Sequence, residues 1–212
     1  MANNRLHHEM LYRGKDYQTK LSVPLITVCG AGAIGSNLVD SLARLGFTKI
    51  RVVDKDRIET HNLGNQLYGL TDVGALKVTA LKTRIFRDVG VEIDAVAKEL
   101  TEDNITKLLK GSSLVIDVFD NTPSRQLLKD YEGVVLHGGL NTDYGEVVWN
   151  TTYIVPKQAN AQEDTCEYPL ARNVVMLVVT VMAEEIIDWA LNKKPRLGDW
   201  TVTLKDLAIR RK

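Results

Sequence analysis

Cysteine is scarce: Cys29 and Cys166 are the only two in 212 residues. Two thiols so far apart exclude a disulfide framework and a paired C-x-x-C zinc site, so no zinc is expected. A reducing, cytoplasmic compartment is the expectation. Charge of one sign is lacking as well, with 27 Lys and Arg against 27 Asp and Glu. That balance supplies no broad field for nucleic acid, which is not expected as a partner. Long apolar runs are missing: the longest, Val174–Ala183, stops at Glu184 and Glu185 and is too short to span a bilayer. The polar opening of the chain does not read as a signal peptide. There is no internal repeat. What remains, 44% hydrophobic and 25% charged residues, suits a single domain over residues 1–212 with a real core.

The most informative stretch is Leu25-Ile-Thr-Val-Cys-Gly-Ala-Gly-Ala-Ile-Gly35. A short apolar run ends in Gly30-x-Gly32-x-x-Gly35, and a helical apolar period starts behind it with Leu38, Leu42 and Leu45. This is a buried strand, a tight turn and a helix N-terminus. Gly30 allows the turn, Gly32 the approach of a phosphate, and Gly35 close packing of helix on strand. The free N–H groups around Ala33 and Ile34, with the positive end of the helix dipole, then form an anion site. Lys49–Val53 is a second strand ending at Asp54, an acidic residue placed to accept ribose hydroxyls. To this point NAD and ATP are equally served.

Farther on the pattern departs from a simple dinucleotide fold. Asp56–Tyr68 is a polar insert anchored by Ile58, Leu63, Leu67 and Tyr68, expected to project at the C-terminal edge of the sheet. Gly74 to Val89 reads as a helix whose first turn holds Lys77, a cation where helix dipoles disfavour one unless a bound polyphosphate compensates. Val91–Ala97 and Leu114–Val118 read as strands around a short helix, Asp103–Lys110. Asp117-Val-Phe-Asp120-Asn121 ends the second of these strands where open α/β sheets bind ligands, with Asp120 the better ligand or metal candidate. A helix over Thr122–Asp130, a strand over Val134–Leu136 and a turn at His137-Gly138-Gly139 follow. Glu146–Asn150 and Thr152–Val155 suggest antiparallel strands, Val174–Leu191 a buried helix, and Trp200–Leu207 a last strand before a basic tail. The fold class is α/β: a Rossmann-like, mostly parallel sheet flanked by helices, with antiparallel strands appended in the C-terminal third. Residues 1–22 read as an arm, 25–136 as the half that carries the nucleotide-binding turn and 137–212 as a second half.

Gly30-Ala-Gly-Ala-Ile-Gly35, Asp54-Lys-Asp56, Asn62-Leu-x-x-Gln66, Lys77 and Asp120-Asn121 together resemble the ATP site of the ThiF/MoeB-type activating enzymes. The superfamily includes the adenylation domains of ubiquitin-activating enzymes. The resemblance spans about Leu6 to Leu207. It implies an ATP- and Mg²⁺-dependent adenylyltransferase acting on the C-terminal glycine of a small ubiquitin-like or sulfur-carrier protein, as a homodimer. By the same resemblance Asp54 holds the ribose, Asn62 and Lys77 the phosphates, and Asp120 the Mg²⁺. The family's arginine in Asn-Leu-x-Arg-Gln is Asn65 here. The arginine commonly supplied by the N-terminal arm aligns with His8, with Arg5, Arg13, Arg57 and Arg125 as substitutes. Many relatives transfer the product to a cysteine before the last long helix, and Cys166 has that position; Cys29, at a strand end, is expected only to pack. Three readings compete with the first: a non-catalytic, nucleotide- or partner-binding member; adenylation of a small-molecule or tRNA-borne carboxylate; and an NAD-dependent oxidoreductase, which fits only the glycines and Asp54.

Overall fold

The computed structural model describes residues 5–156, 169–196 and 198–212. Two short helices, α1 (His7–Arg13) and α2 (Tyr17–Ser22), lead into an alternation of strands and helices. In order these are β1 (Ile26–Cys29), α3 (Ala33–Leu45), β2 (Ile50–Val53), α4 (Lys77–Val89) and β3 (Asp94–Val96). They continue as α5 (Ile105–Leu108), β4 (Leu114–Asp117), α6 (Thr122–Lys129) and β5 (Val135–Asn141). The chain ends in β6 (Tyr144–Trp149), α7 (Arg172–Asn192), β7 (Trp200–Thr203) and β8 (Ala208–Arg211).

The strands form one sheet in the order β3-β2-β1-β4-β5-β6-β7-β8. β1 to β5 pair in parallel and β5 to β8 antiparallel. Because β1 pairs with both β2 and β4, the chain reverses direction across the sheet there, and a crevice opens beyond the C-terminal ends of β1 and β4. Helices on both faces leave β1 and β4 buried throughout, so Ile-Thr-Val-Cys and Leu-Val-Ile-Asp lack polar alternation. α3 buries Leu38 and Leu42 and stops at Gly46, whose φ of 114° ends the helix in a left-handed turn.

α7 is apolar nearly all round because this chain surrounds it: α2 and α3 pack on it from one side, β5, β6 and β7 from the other. Its buried Glu185 accepts hydrogen bonds from Trp149 Nε1 (3.1 Å) and Trp200 Nε1 (2.9 Å), tying β6 and β7 to the helix. No helix among the described residues is long and apolar enough to cross a membrane.

The arm expected over residues 1–22 contains α2, whose Tyr17 and Leu21 bury themselves one turn apart. Three local expectations fail. His137, Gly138 and Gly139 lie inside β5, not in a turn. The glycines there serve packing: a Cβ on Gly138 would lie 2.5 Å from Met182 Sδ, and one on Gly145 2.3 Å from Val178 Cγ2, so α7 approaches the sheet only over glycine. Thr152–Val155 makes no strand; the N–H groups of Thr152 and Tyr153 both donate to the Trp149 carbonyl in a turn. The final strand is a hairpin, so the basic residues Arg210 and Arg211 belong to β8.

Candidate active site

The glycine turn follows β1. Gly30 has φ 108° and lies so close to the segment after β4 that a Cβ would meet the Val118 carbonyl oxygen at 3.0 Å. On Gly35 a Cβ would meet the Gly30 carbonyl oxygen at 2.0 Å, which fixes how closely α3 packs against the turn. Gly32 differs: nothing lies within 4 Å of the position its Cβ would take. No side chain caps α3, so the N–H groups of its first turn, around Ala33 and Ile34, face that open space. At Gly30 and Gly35 the protein itself excludes a side chain; at Gly32 nothing among the described residues does, and there an anion fits.

Asp54, at the tip of β2, is 7% exposed. Its Oδ2 accepts the Ala31 N–H at 2.6 Å and its Oδ1 the Asp56 N–H at 2.7 Å. Burial raises its pKa from the ordinary carboxylate value, opposed by Lys77 and by the two backbone donors. A carboxylate has about four acceptor positions, so two remain for ligand hydroxyls. Asp56 is half-exposed and pairs with Lys77 Nζ at 3.0 Å; Lys77, first residue of α4, is 8% exposed. Lys77 is thus a nearly buried cation held at the crevice by one partly exposed carboxylate.

The insert after Asp56 contains two short 3-10 turns, Thr60–Gly64 and Leu70–Asp72. Asn62 is buried and closes the first turn through Oδ1, which accepts the Glu59 N–H at 2.9 Å. Its amide NH₂ has no partner among the described residues. The insert is bound at three places, twice to α3 and once to the glycine turn. Asn37 Nδ2 donates to the Asn65 carbonyl (2.9 Å), the Leu67 N–H to Ser36 Oγ (3.0 Å), and the buried Tyr68 hydroxyl to the Ala31 carbonyl (2.8 Å). Gln66 Oε1 is buried without a hydrogen-bond partner among the described residues. A buried amide oxygen left unpaired costs about 1–3 kcal/mol, so its gap suits a ligand donor.

At the tip of β4, Asp117 and Asp120 separate cleanly. Asp117 is fully buried; its Oδ1 accepts the Phe119 N–H (3.1 Å) and its Oδ2 meets His137 Nδ1 (2.8 Å). His137 Nε2 meets Asn150 Oδ1 at 3.0 Å, and the ring stacks on Tyr153 with centroids 3.6 Å apart. Asp120 is exposed, and no hydrogen bond or ion pair engages its carboxylate among the described residues. Asn121 caps α6, its Oδ1 accepting the Ser124 N–H at 2.9 Å. Cys29 lies buried beside Asp117, and desolvation raises its thiol pKa, which fits a packing role.

The structure therefore brings Gly30, Gly32, Ala33, Ile34, Gly35, Asp54, Asp56, Asn62, Asn65, Gln66 and Lys77 into one connected unit, with the Asp120 segment packed against its turn. Cys166 lies outside the described residues. Of the substitute arginines, Arg5 bonds the Ala43 and Arg44 carbonyls and Arg13 bonds Glu9 and Glu184. Arg57 bonds the Gly74 carbonyl, and Arg125 the Phe119 carbonyl and the Tyr153 hydroxyl. Sequence reasoning missed the Asp117–His137–Asn150 chain, which joins strands far apart in sequence. It also missed Arg172, at the first position of α7, whose Nη1 donates to the Gly64 carbonyl at 3.1 Å. The rule that singled out Lys77, a cation opening a helix, applies to Arg172 equally.

No group of three or more His, Cys, Asp or Glu among the described residues could by itself hold a metal ion. Asp120 still fits Mg²⁺, which is often bound by one or two carboxylates together with substrate phosphates and water.

An α/β sheet with an uncapped helix opening on a glycine turn and an acidic residue at the next strand end is the arrangement of the nucleotide-binding α/β class. The chain belongs to the ThiF family, whose match runs over residues 6–207. It is 33% identical over 131 residues to the sulfur carrier protein adenylyltransferase of Thermus thermophilus, covering 60% of this chain and 48% of that protein. It is 33% identical over 151 residues to the SAMP-activating enzyme E1 of Haloferax volcanii, covering 68% and 54%. The chain thus spans about half the length of these relatives. Among solved structures, Escherichia coli MccB with ATP superposes with a TM-score of 0.80 over 100% of this chain and 72% of that one, at 17% identity. That likeness is one of fold.

Proposed function

We propose that this protein is an adenylyltransferase that activates the C-terminal carboxylate of a small ubiquitin-like or sulfur-carrier protein with ATP. The observation carrying the proposal is the joined unit of open Gly32, uncapped α3, Asp54, Lys77 and the unpaired Asp120 at one crevice. An NAD-dependent oxidoreductase has no use for Lys77 or for an insert bound twice to α3 and once to the turn. The family and the named relatives support the same reading.

In this reading the α3 N-terminus and Lys77 bind the triphosphate, Asp54 accepts the ribose hydroxyls, and Asn62 donates its free NH₂ to a phosphate. Asp120 would hold Mg²⁺, which supplies charge neutralisation to the phosphates. The carrier carboxylate attacks the α-phosphorus; an O–P bond forms and the bond to the β-phosphate oxygen breaks. The electron pair leaves with pyrophosphate, giving an acyl adenylate. Catalysis by position and charge suffices, as in other phosphorus transfers. No side-chain nucleophile enters this step, and transfer to Cys166 would follow it. The reading includes a homodimer, for which Leu11 and Tyr12 on α1 offer exposed apolar surface; sedimentation would give the mass.

The test is ATP–pyrophosphate exchange with a ubiquitin-like sulfur carrier ending in Gly-Gly. Exchange should depend on the free carboxylate, vanish in Lys77→Ala and persist in Cys166→Ala. Exchange unchanged in Lys77→Ala, or absent from the wild type, would contradict the reading.

A further inference from the structure

Arg172 is a cation at the first position of α7, where the helix dipole opposes positive charge and no acidic residue occupies the first turn. Its side chain is exposed, and among the described residues no carboxylate pairs with it. A free guanidinium would be expected to extend into solvent. Here its Nη1 reaches 108 residues back in the chain to the Gly64 carbonyl, at 3.1 Å. Nε and Nη2 have no partner among the described residues.

Gly64 immediately precedes Asn65, and the carbonyl of Asn65 is held by Asn37 of α3. Arg172 therefore grips the insert one residue from where the insert is bound to the phosphate-facing helix. Arg5, Arg13 and Arg125 each bond two or more groups elsewhere, whereas Arg57, like Arg172, bonds a single carbonyl, that of Gly74, which lies beyond the stretch bound to α3. Lys77 alone would face the four negative charges of ATP as a nearly buried cation, and Asp56 already offsets part of its charge.

We propose that Arg172, from α7, is a polyphosphate-binding residue of the nucleotide site, supplying through its unbonded nitrogens the guanidinium that position 65 does not. Its bond to Gly64 orients the planar fork while leaving donors for phosphate oxygens, the geometry that guanidinium favours. The proposal rests on the ATP reading above.

The experiment is calorimetric titration of the full chain with MgATP and, separately, with AMP. Wild-type, Arg172→Gln, Arg172→Lys and the double variant Arg172→Gln/Asn65→Arg are compared, with thermal unfolding as the check on folding. Gln retains a donor for Gly64 but no charge. The expected result is about tenfold weaker MgATP binding in Arg172→Gln, the loss of one charge-assisted hydrogen bond, with AMP affinity unchanged. Arg172→Lys, which keeps the charge and loses the fork, should recover only part of the affinity, and Asn65→Arg should restore it in the Gln background. Unchanged MgATP binding in Arg172→Gln would overturn the proposal and leave the ATP reading standing. Equal losses for MgATP and AMP would also overturn it, since they mark a brace for the insert. A wild type that binds no MgATP would overturn both.

Discussion

The tips of β2 and β4 use the same device to different ends. Each carries an inner and an outer aspartate, Asp54 and Asp56 on one, Asp117 and Asp120 on the other. Each inner carboxylate is buried and accepts the N–H two residues on, at 2.7 Å from Asp56 and 3.1 Å from Phe119. Their second oxygens diverge. Asp54 holds the Ala31 N–H of the glycine turn, whereas Asp117 holds His137 of β5. The outer carboxylates diverge too, since Asp56 is paired with Lys77 and Asp120 is unpaired among the described residues. At β4 the inner aspartate therefore shapes the strand end and the outer one is left for ligand, whereas at β2 the outer one is spent on Lys77. Only at β2 does the inner residue also belong to the nucleotide loop.

The largest expected effect tests the inner residue at β4. Asp117→Ala leaves His137 buried without its carboxylate, at a cost of about 3 kcal/mol. Thermal unfolding should shift down by roughly 10 °C for a chain of this size. A shift within 2 °C of zero, roughly, would break the assignment of Asp117 to the scaffold.

Asp120→Ala is the complement. Pyrophosphate exchange should fall by about 10²–10³-fold, the scale of losing one electrostatic group from a transition state, with the melting temperature unmoved. A variant that loses stability and keeps exchange would reverse the comparison between the two aspartates of β4.

The smallest effect tests Asp54 by pH. Burial raises the folded pKa of Asp54 above its unfolded value. Its contribution to stability is therefore full below the unfolded value of about 4 and is lost as pH rises through the folded value. Nucleotide binding moves oppositely, because ribose and the Ala31 N–H need the carboxylate. MgATP affinity should fall on acidification at a pH above the ordinary aspartate range; the terminal phosphate also takes up a proton there, at about pH 6, so the part due to Asp54 is the fall that Asp54→Asn no longer shows. Affinity that stays flat down to pH 4, roughly, would remove Asp54 from the nucleotide site.

The same contrast explains what the sequence made legible. The turn at Gly30–Gly35 is local: strand, glycines and helix adjoin in the chain, and their roles follow from spacing. Asp54 and Lys77 were also legible, one by its distance from the glycines and the other by its electrostatic misfit at a helix start. The C-terminal third was less so. Gly138 reads as a turn residue, yet it is a strand position emptied for Met182 of α7, as Gly145 is for Val178, a demand no local pattern carries. His137 looked like a supporting residue at a turn, because its partner Asp117 becomes a neighbour only when β4 and β5 pair. Arg172 needed both a tertiary contact and the insert to be noticed. Pairing across the sheet, not propensity, decided these residues.

The central claim is that the glycine turn, joined to Lys77 and Asp120, takes ATP and not a dinucleotide. Calorimetric titration of the full chain with MgATP and with NAD measures it most directly. The account predicts saturable binding of MgATP and none of NAD; binding of NAD with no heat from MgATP would contradict it.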